Sequence, residues 1–408
     1  IPGKRALPEG LHPDTLALRV SIPCSDKGEH SEALYLTSGY FQPDAETSRR
    51  RYANELPGYT YTRTGNPSVT AFERRLAALH GAESTVATGT GMAAILLVAL
   101  GLLKGGDHAL CSRSMFGSTH RLLGTELGRF GVDISLALQD DPASWRAALR
   151  PETRLLFVES PANPLTDVCD IAALACIAHD AGALLVVDNC FASPVLQRPL
   201  ALGADVVVES GTKFLDGQGR VMAGAVCGNR ALVDELLRPL LGVSGMVLSP
   251  FNAWVVHKGM ETLALRVRAQ SANALQIAQW LEAHPAVDRV YYPGLPSHPQ
   301  HELAMRQQSG LGGAVLAFNV KATSAEQARA RAFHVIDSTR VCSIATNLGD
   351  VHTLLTHPAT TSHRRLTEAE RQATGVGQGL IRLSVGLEHV ADIITDLARG
   401  LDTCSTVS

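Results

Sequence analysis

The amino-acid sequence lacks the features that would direct a protein to nucleic acid, a membrane or an oxidising compartment. Its formal net charge is only −3 over 408 residues, and no basic run is long enough to form a surface for nucleic acid. Its longest apolar stretch, residues 92–103, is too short to cross a membrane. Its 8 cysteines are dispersed and form no C-x-x-C pair, which is typical of reduced thiols. We therefore expect a cytoplasmic protein that acts on small molecules and binds neither nucleic acid nor a membrane.

The sequence pattern divides the chain into three regions. Residues 1–60 have Pro, Gly and Ser at short intervals without long periodicity, and we expect an arm that contacts a neighbouring subunit. Residues 61–256 alternate helical stretches with short branched-aliphatic strands, which predicts an α/β domain with a large, mainly parallel sheet covered by helices. A single long helix is predicted over 252–284, and residues 257–408 are expected to form a smaller α+β C-terminal domain. The strands are predicted at 155–158, 184–188 and 206–208, and in the smaller domain at 287–292, 313–319 and 381–385.

Two ionisable residues follow neighbouring strands of the predicted parallel sheet. Asp188 ends the strand 184–188, and Lys213 comes shortly after the strand 206–208, in Ser210-Gly211-Thr212-Lys213. Ligands on such sheets bind at the carboxyl ends of the strands. Pyridoxal phosphate needs a lysine amine for a Schiff base and an acid that keeps its pyridine nitrogen protonated. A lysine after a strand is on its own more often a solvated charge, so the pairing with Asp188 is what predicts a pyridoxal-phosphate site.

A glycine-rich segment provides a place for the phosphate group. Thr88-Gly89-Thr90-Gly91-Met92 stands directly before an apolar helix, so free backbone N–H groups and the positive helix end lie together. The same residues are also compatible with a tight turn and an N-cap. Ser210 and Thr212 add hydroxyl groups near Lys213.

Several blocks of the chain, in the same order and along nearly its whole length, resemble the pyridoxal-phosphate enzymes of cysteine and methionine metabolism. This is the cystathionine γ-synthase group, which has the aspartate-aminotransferase-like fold (fold type I). The matching blocks are Tyr59-Thr60-Tyr61-Thr62-Arg63-Thr64-Gly65-Asn66-Pro67, Gly91-Met92, Glu159-Ser160-Pro161-Ala162-Asn163-Pro164, Val187-Asp188-Asn189, Ser210-Gly211-Thr212-Lys213 and His357-Pro358-Ala359-Thr360.

The resemblance implies a role for each cofactor-binding residue. Lys213 is expected to be the catalytic residue and to carry the cofactor as a Schiff base, and Asp188 to pair with the pyridine nitrogen. Tyr61 and Arg63 are similar to a pair that reaches the phosphate from a neighbouring subunit, within a homotetramer. The remaining phosphate contacts are expected from Gly91, Met92, Ser210 and Thr212.

The resemblance also implies residues that bind the substrate. Asn163 is similar to an asparagine near the cofactor oxygen and the substrate carboxylate. Arg382 is similar to the arginine that binds the α-carboxylate, for which its bidentate fork is suited. A strand-end surface charge is the alternative interpretation of Arg382. Phe116 stands where most of the family has a tyrosine stacked on the cofactor ring, and phenylalanine stacks but cannot move a proton.

Three segments look most like the O-succinylhomoserine sulfhydrylase branch of this group. They are Phe116-Gly117-Ser118-Thr119, Asp216-Gly217-Gln218-Gly219-Arg220 and Asn347-Leu348-Gly349-Asp350. Methionine γ-lyases have a cysteine where Ser118 stands. The expected reaction is γ-replacement that makes homocysteine from O-succinylhomoserine and sulfide, for methionine biosynthesis. A cystathionine γ-synthase and an O-acetylhomoserine sulfhydrylase remain alternatives.

Three histidines near Asp350 suggest an enzyme of a different class, a metal-dependent hydrolase. His352, His357 and His363 lie close in sequence, but their spacing is neither that of a helical zinc motif nor that of a Cys/His knuckle. We therefore expect no metal site. Gly89-Thr90-Gly91 also lacks the lysine of a P-loop and the full dinucleotide fingerprint.

Overall fold

The structure, a computed structural model, describes residues 7–20, 28–364, 367–368, 371 and 374–407. Its larger sheet has seven strands: β1 (Ser84–Thr88), β2 (His108–Ser112), β3 (Asp133–Ala137), β4 (Thr153–Glu159), β5 (Leu184–Asp188), β6 (Val206–Glu209) and β7 (Gly224–Gly228). They lie in the order β1-β7-β6-β5-β4-β2-β3. The strands from β6 to β3 pair in parallel, whereas β7 pairs antiparallel with both β1 and β6. The predicted α/β class and the mainly parallel sheet are therefore confirmed.

Alternate residues of the central strands pack against helices on opposite faces of this sheet. Val186 and Val206 belong to one core with residues of the helix Gly91–Leu102, and Val187 belongs to another core with residues of the helix Ile171–Asp180. Because both faces are covered, these strands are aliphatic at nearly every position. Between the N-terminal region and the smaller sheet, the other helices are Pro67–His80, Gly117–His120, Pro142–Ala147, Ser193–Leu196, Arg238–Ser244, Pro250–Met260 and Leu263–Ala283, with shorter helical turns at Arg121–Glu126, Gly128–Phe130, Pro199–Leu202, Gly211–Leu215 and Ala231–Leu237.

A second sheet of five strands follows in the chain. Its strands are β8 (Val287–Tyr291), β9 (Val315–Val320), β10 (Ser343–Ile344), β11 (Leu354–Thr356) and β12 (Leu380–Ser384), in the order β10-β11-β12-β9-β8. The helices that accompany it are His301–Gln307, Ala325–Asp337 and Val390–Leu401, with turns at Pro358–Thr360 and Cys404–Thr406. No helix among the described residues is long and apolar enough to cross a membrane.

The helix predicted over 252–284 is wrong in one respect, because the structure divides it into Pro250–Met260 and Leu263–Ala283. At the break, the guanidinium of Arg266 donates a hydrogen bond to the backbone oxygen of Gly259 over 2.9 Å. Gly259 also lies so close to the chain at Leu215 that a Cβ atom would come within 2.6 Å of its backbone oxygen. The Arg266 guanidinium therefore bonds to a carbonyl oxygen that a backbone N–H would take in a continuous helix, and the chain turns between the two helices. The predicted boundary at residue 256 lies inside the first of these helices, and the division into domains stays a prediction.

The described part of the N-terminal region contains two short helices, Pro13–Arg19 and Ala45–Tyr52. Ala17 of the first helix is buried in the core that includes Phe72. In segment 28–44, Glu32 is buried and pairs with Arg75 and His257. Residues 1–6 and 21–27 of the predicted arm, with Cys24, lie outside the described residues. Contact with a neighbouring subunit stays a prediction.

Candidate active site

Two acidic side chains lie next to each other where the central strands of the larger sheet end. Glu159 ends β4, Asp188 ends β5, and the strands pair these two residues in register. Burial raises the pKa of Asp188 to about 6, against hydrogen bonds from Cys190 and the charge of Lys213 that lower it. Burial, and then the charge of Asp188, also raise the pKa of Glu159 well above its ordinary value. This edge of the sheet therefore holds a buried acidic pair that a cationic group would stabilise.

Lys213 lies in the turn that follows β6. Its backbone, with φ −92° and ψ −128°, interrupts the helical turn Gly211–Leu215. Its amine donates a hydrogen bond to Oδ1 of Asn347 over 2.7 Å. Burial lowers the pKa of Lys213, and the charge of Arg382 lowers it further. A half-buried lysine with a lowered pKa has a larger neutral fraction near pH 7 than an exposed one, as a nucleophilic or basic amine requires.

Gly349 explains how Asn347 reaches Lys213. It has φ +76°, and a Cβ atom at this position would lie 2.7 Å from the backbone nitrogen of Phe214 and 3.0 Å from the carbonyl carbon of Lys213. Only glycine accepts both this conformation and this close approach without strain. The segment before β11 is thereby held against the lysine turn.

The helix Gly91–Leu102 begins at the same edge of the sheet. Thr90 is its N-cap, and the Thr90 hydroxyl accepts a hydrogen bond from the N–H of Ala93 over 3.0 Å. Gly91 approaches Ser210 so closely that a Cβ atom at Gly91 would lie 3.2 Å from the Ser210 Oγ. The hydroxyl of Thr212 is engaged with Ala223, donating to its carbonyl oxygen over 3.3 Å and accepting from its N–H over 3.1 Å. The first-turn N–H groups of the helix and the Ser210 hydroxyl thus lie together in an arrangement suited to an anion, and phosphate binding there stays a prediction.

Arg382 is buried within β12, with only 3% of its surface exposed, so the alternative of a surface charge is wrong. It donates hydrogen bonds to Oδ1 of Asn163 over 3.0 Å and to the backbone oxygens of Thr346 and Asn347 over 3.1 and 3.0 Å. Its Nε is buried and has no hydrogen-bond partner among the described residues. Burial lowers the pKa of Arg382 to about 10, and Glu159 opposes that shift. An unsatisfied guanidinium nitrogen of this kind is suited to an anionic ligand.

One cavity of about 660 Å³ brings most of the predicted site residues together. The predicted residues that line it are Gly91, Met92, Phe116, Asn163, Asp188, Ser210, Thr212, Lys213 and Arg382. Tyr61 and Arg63 lie outside this cavity and line a separate surface pocket. The guanidinium of Arg63 contacts the Tyr61 ring, 5.5 Å from its centre, and donates a hydrogen bond to the backbone oxygen of Gly242.

Sequence reasoning gave no role to Glu159, although the residue stood within a matching block. Its carboxylate accepts hydrogen bonds from the N–H of Phe116 over 2.7 Å and from the N–H of Asn163 over 3.1 Å. It therefore fixes two residues that line the cavity. The available signal was an acidic residue at the end of a buried strand, the same signal that identified Asp188.

The cavity fits pyridoxal phosphate on grounds that the structure itself provides. Lys213 and Arg382 only partly offset the charge of Asp188 and Glu159, whose pKa values stay raised, and a protonated pyridine ring supplies a further cation. The helix that begins at Gly91 provides N–H groups for a phosphate, and Lys213 provides an amine with a lowered pKa. The residues present are thus suited to each part of this cofactor.

The histidines near Asp350 have separate partners. His352 Nδ1 lies 2.8 Å from Oδ1 of Asp350, whereas His357 contacts Thr360 and the backbone oxygen of Gln378. His363 Nδ1 lies 2.9 Å from the Ser362 hydroxyl. In the part of the chain that the structure describes, no group of three or more His, Cys, Asp or Glu side chains is arranged to hold a metal ion.

The chain belongs to the family of Cys/Met metabolism PLP-dependent enzymes, whose profile matches residues 14–402. Its cofactor is therefore pyridoxal phosphate, as the sequence predicted. An O-succinylhomoserine sulfhydrylase of Pseudomonas aeruginosa is 53% identical over 96% of this chain and 96% of that protein. A protein of the same name from Mycobacterium tuberculosis is 46% identical over 97% of each chain. An L-methionine gamma-lyase of Porphyromonas gingivalis is 43% identical over 91% of this chain and 92% of that protein.

Solved structures confirm the predicted fold. A cystathionine gamma-lyase from Lactobacillus plantarum, in complex with L-serine, matches with a TM-score of 0.90 at 32% identity and covers 97% of this chain and 100% of its own. An O-acetylhomoserine (thiol)-lyase from Campylobacter jejuni, with a pyridoxyl-lysine phosphate, also has a TM-score of 0.90, at 30% identity, and covers 96% of this chain and 100% of its own.

Proposed function

We propose that this enzyme makes homocysteine from O-succinylhomoserine and sulfide, with release of succinate, in methionine biosynthesis. The observation that carries the proposal is the 53% identity of this chain to a protein named O-succinylhomoserine sulfhydrylase, together with Phe116 at the cavity and Ser118 two positions further along the chain. Sulfide is a small nucleophile, and its addition needs no second amino-acid site. A second zwitterion would require its own paired charges.

The residues of the cavity divide the work of binding. Arg382 binds the α-carboxylate through its fork, and Asn163 holds that fork by accepting from one Nη. With pyridoxal phosphate bound, Asp188 would pair with the pyridine nitrogen, Lys213 would carry the cofactor and Phe116 would provide an aromatic face for the ring. Gly91, Met92, Ser210 and Thr212 would hold the phosphate.

Lys213 moves the protons. When bound, pyridoxal phosphate supplies a protonated ring that spreads the electron pair left at Cα. The freed Lys213 amine would remove the Cα proton, hand that proton to the bound cofactor so that the amine is neutral again, and then remove a Cβ proton. The Cγ–O bond breaks as succinate leaves with the bonding electrons. Hydrosulfide then forms the new bond at Cγ, and Lys213 returns protons to Cβ and Cα. Phe116 has no exchangeable proton, so Lys213 acts at both carbons.

The lyase reaction of the methionine γ-lyases is the second candidate, because such relatives are 43% identical. Elimination has less support, since Phe116 stands where most of the family has a tyrosine and Ser118 stands where methionine γ-lyases have a cysteine. Homotetrameric assembly, with Tyr61 and Arg63 reaching a neighbouring subunit, and a cytoplasmic location complete the proposal. The dispersed cysteines, and the position of both residues outside the cavity of their own chain, support these points.

Two measurements test the proposal. Borohydride reduction followed by peptide mass spectrometry is expected to find the cofactor fixed to Lys213, the lysine that lines the described cavity. Kinetics with two esters and two nucleophiles are expected to give the highest kcat/KM for O-succinylhomoserine with sulfide. Cystathionine as the preferred product would indicate a synthase, and preference for O-acetylhomoserine would overturn the choice of ester. Release of 2-oxobutyrate from methionine at a comparable rate would indicate a lyase.

A further inference from the structure

Arg364 is a cation at the cavity for which the reaction described above has no use. Three cationic side chains of the described residues line the cavity, namely Lys213, Arg364 and Arg382. The Lys213 amine donates a hydrogen bond to Asn347, and the Arg382 guanidinium donates hydrogen bonds to Asn163 and to two backbone oxygens. Arg364 is exposed, and its guanidinium makes no hydrogen bond or ion pair with another described residue.

A hydrogen-bonded turn places Arg364 at the cavity. The N–H of His363 donates to the backbone oxygen of Pro358 over 2.9 Å, and the N–H of Arg364 donates to that of Thr361 over 3.4 Å. The neighbouring hydroxyls are engaged within the same segment: Thr360 and Thr361 contact His357, and Ser362 contacts His363. The guanidinium of Arg364 is thus the charged donor that this segment leaves available to a ligand.

We propose that Arg364 binds the terminal carboxylate of the succinyl group and thereby selects the succinyl ester over the acetyl ester. This inference rests on the proposed function. O-Succinylhomoserine has a carboxylate at each end, whereas O-acetylhomoserine ends in a methyl group. With Arg382 at the α-carboxylate, Arg364 supplies the second cation that only the succinyl ester requires, and its planar fork matches a carboxylate.

Arg113 is the competing cation. It lines a neighbouring cavity of about 290 Å³, which shares Asn163 with the site but does not include Lys213. Its side chain is exposed and, like that of Arg364, makes no hydrogen bond or ion pair with another described residue. Arg113 therefore provides a matched control for loss of an exposed guanidinium close to the site.

The test compares Arg364→Met, Arg364→Lys and Arg113→Met with the wild-type holoenzyme, with sulfide as nucleophile. In Arg364→Met we expect kcat/KM for O-succinylhomoserine to fall about tenfold, mainly through a higher KM, because one charge-assisted contact is lost. The value for O-acetylhomoserine is expected to stay unchanged. Arg364→Lys is expected to recover part of the loss, and Arg113→Met to behave as the wild type.

A binding measurement separates recognition from turnover. L-2-Aminononanedioate has the chain length of O-succinylhomoserine but no leaving group, and L-2-aminononanoate lacks its terminal carboxylate. Titration followed by cofactor absorbance is expected to show that Arg364→Met weakens binding of the first compound about tenfold and of the second not at all.

The outcomes distinguish the two proposals. A wild-type preference for the acetyl ester would overturn the proposed function. A wild-type preference for the succinyl ester, with equal losses for both esters in Arg364→Met, would overturn the inference alone. So would loss of the succinyl preference in Arg113→Met with its retention in Arg364→Met.

Discussion

Asp188 shows how one buried acid determines what the cavity can hold. Its carboxylate is buried at the end of β5, and burial raises its pKa to about 6 although the charge of Lys213 opposes the shift. A pyridinium nitrogen restores the ionised form. We predict that Asp188→Asn retains the cofactor but loses about a hundredfold or more in kcat, since an amide does not hold the ring proton. Turnover and cofactor absorbance measured together test this.

The control for that substitution is Asp288→Asn, the same change at an exposed position on β8. It is expected to leave both quantities unchanged. Near-normal turnover in Asp188→Asn would show that the pairing with the pyridine nitrogen is wrong.

Asn347 is the residue that holds the free lysine amine. Its Oδ1 accepts from Lys213 over 2.7 Å, and its backbone oxygen accepts from Arg382 over 3.0 Å. We predict that Asn347→Leu slows removal of the Cα proton about tenfold or more, because the amine loses the acceptor that orients it. Exchange of the Cα proton of an unreactive amino acid in D₂O measures this step apart from turnover.

A second variant tests whether Asn347 acts through its hydrogen-bond acceptor. Asn347→Ser keeps a short acceptor and is expected to recover part of the exchange rate. If Asn347→Leu exchanged the Cα proton as fast as the wild type, Asn347 would have no part in positioning Lys213.

At the scale of elements, Glu32 joins the N-terminal region to two helices. Its carboxylate lies 3.0 Å from Nη2 of Arg75, 3.1 Å from Nε2 of His257 and 3.0 Å from Nζ of Lys258. We predict that Glu32→Gln lowers the free energy of unfolding by about 3 kcal/mol, because the buried guanidinium of Arg75 loses the nearer of its two carboxylate partners and keeps only Glu261, at 3.4 Å, among the described residues. Urea unfolding at fixed protein and cofactor concentration measures the loss.

Glu55→Gln is the control, since the ion pair of Glu55 with Arg49 is exposed and such pairs contribute less than about 1 kcal/mol. Equal stability losses in Glu32→Gln and Glu55→Gln would show that Glu32 does not anchor the segment.

The same cluster has a defined pH dependence. Burial alone would raise the pKa of Glu32, but hydrogen bonds from His257, its own backbone N–H and Lys258 lower it well below its ordinary value. A carboxylate with a lowered folded pKa contributes its full stabilisation above the unfolded pKa of about 4.3 and loses it as the pH falls further. The stability gap between wild type and Glu32→Gln is therefore expected to stay constant from pH 8 to pH 6 and to narrow only below about pH 4.3.

The elements also show which parts of the site the sequence could predict. Asp188 and Lys213 were predictable because each follows an aliphatic strand, and the carboxyl ends of parallel strands meet at one edge of the sheet. The contact of Lys213 with Asn347 was not, since it joins residues 134 positions apart through the approach of Gly349 to the lysine turn. The helix break before Leu263 was missed for the same reason, because it depends on packing against Leu215 and not on a local signal.

At the scale of the whole molecule, Tyr61 and Arg63 are the predicted site residues that one chain does not bring to its own cavity. Tyr61 is 44% exposed, and both residues line a surface pocket with Val247 and Pro250. We predict that they complete the cavity of a neighbouring subunit, where the guanidinium of Arg63 binds the cofactor phosphate. Each active site would then take residues from two chains.

Subunit exchange tests this arrangement. Arg63→Ala and Lys213→Ala are each expected to be inactive alone, because every site lacks one of the two residues. In a mixed dimer, the chain with Lys213→Ala lends its intact Arg63 to the cavity of the other chain, whose Lys213 is intact, so one site of the two is complete. After random exchange of equal amounts, half of the dimers are mixed and each has one complete site of two. Activity is therefore expected to rise towards about a quarter of the wild-type value.

Mixing two lots of Lys213→Ala protein is the control, and it is expected to remain inactive. Exchange proven by mass spectrometry without recovery of activity would place Arg63 in the site of its own chain.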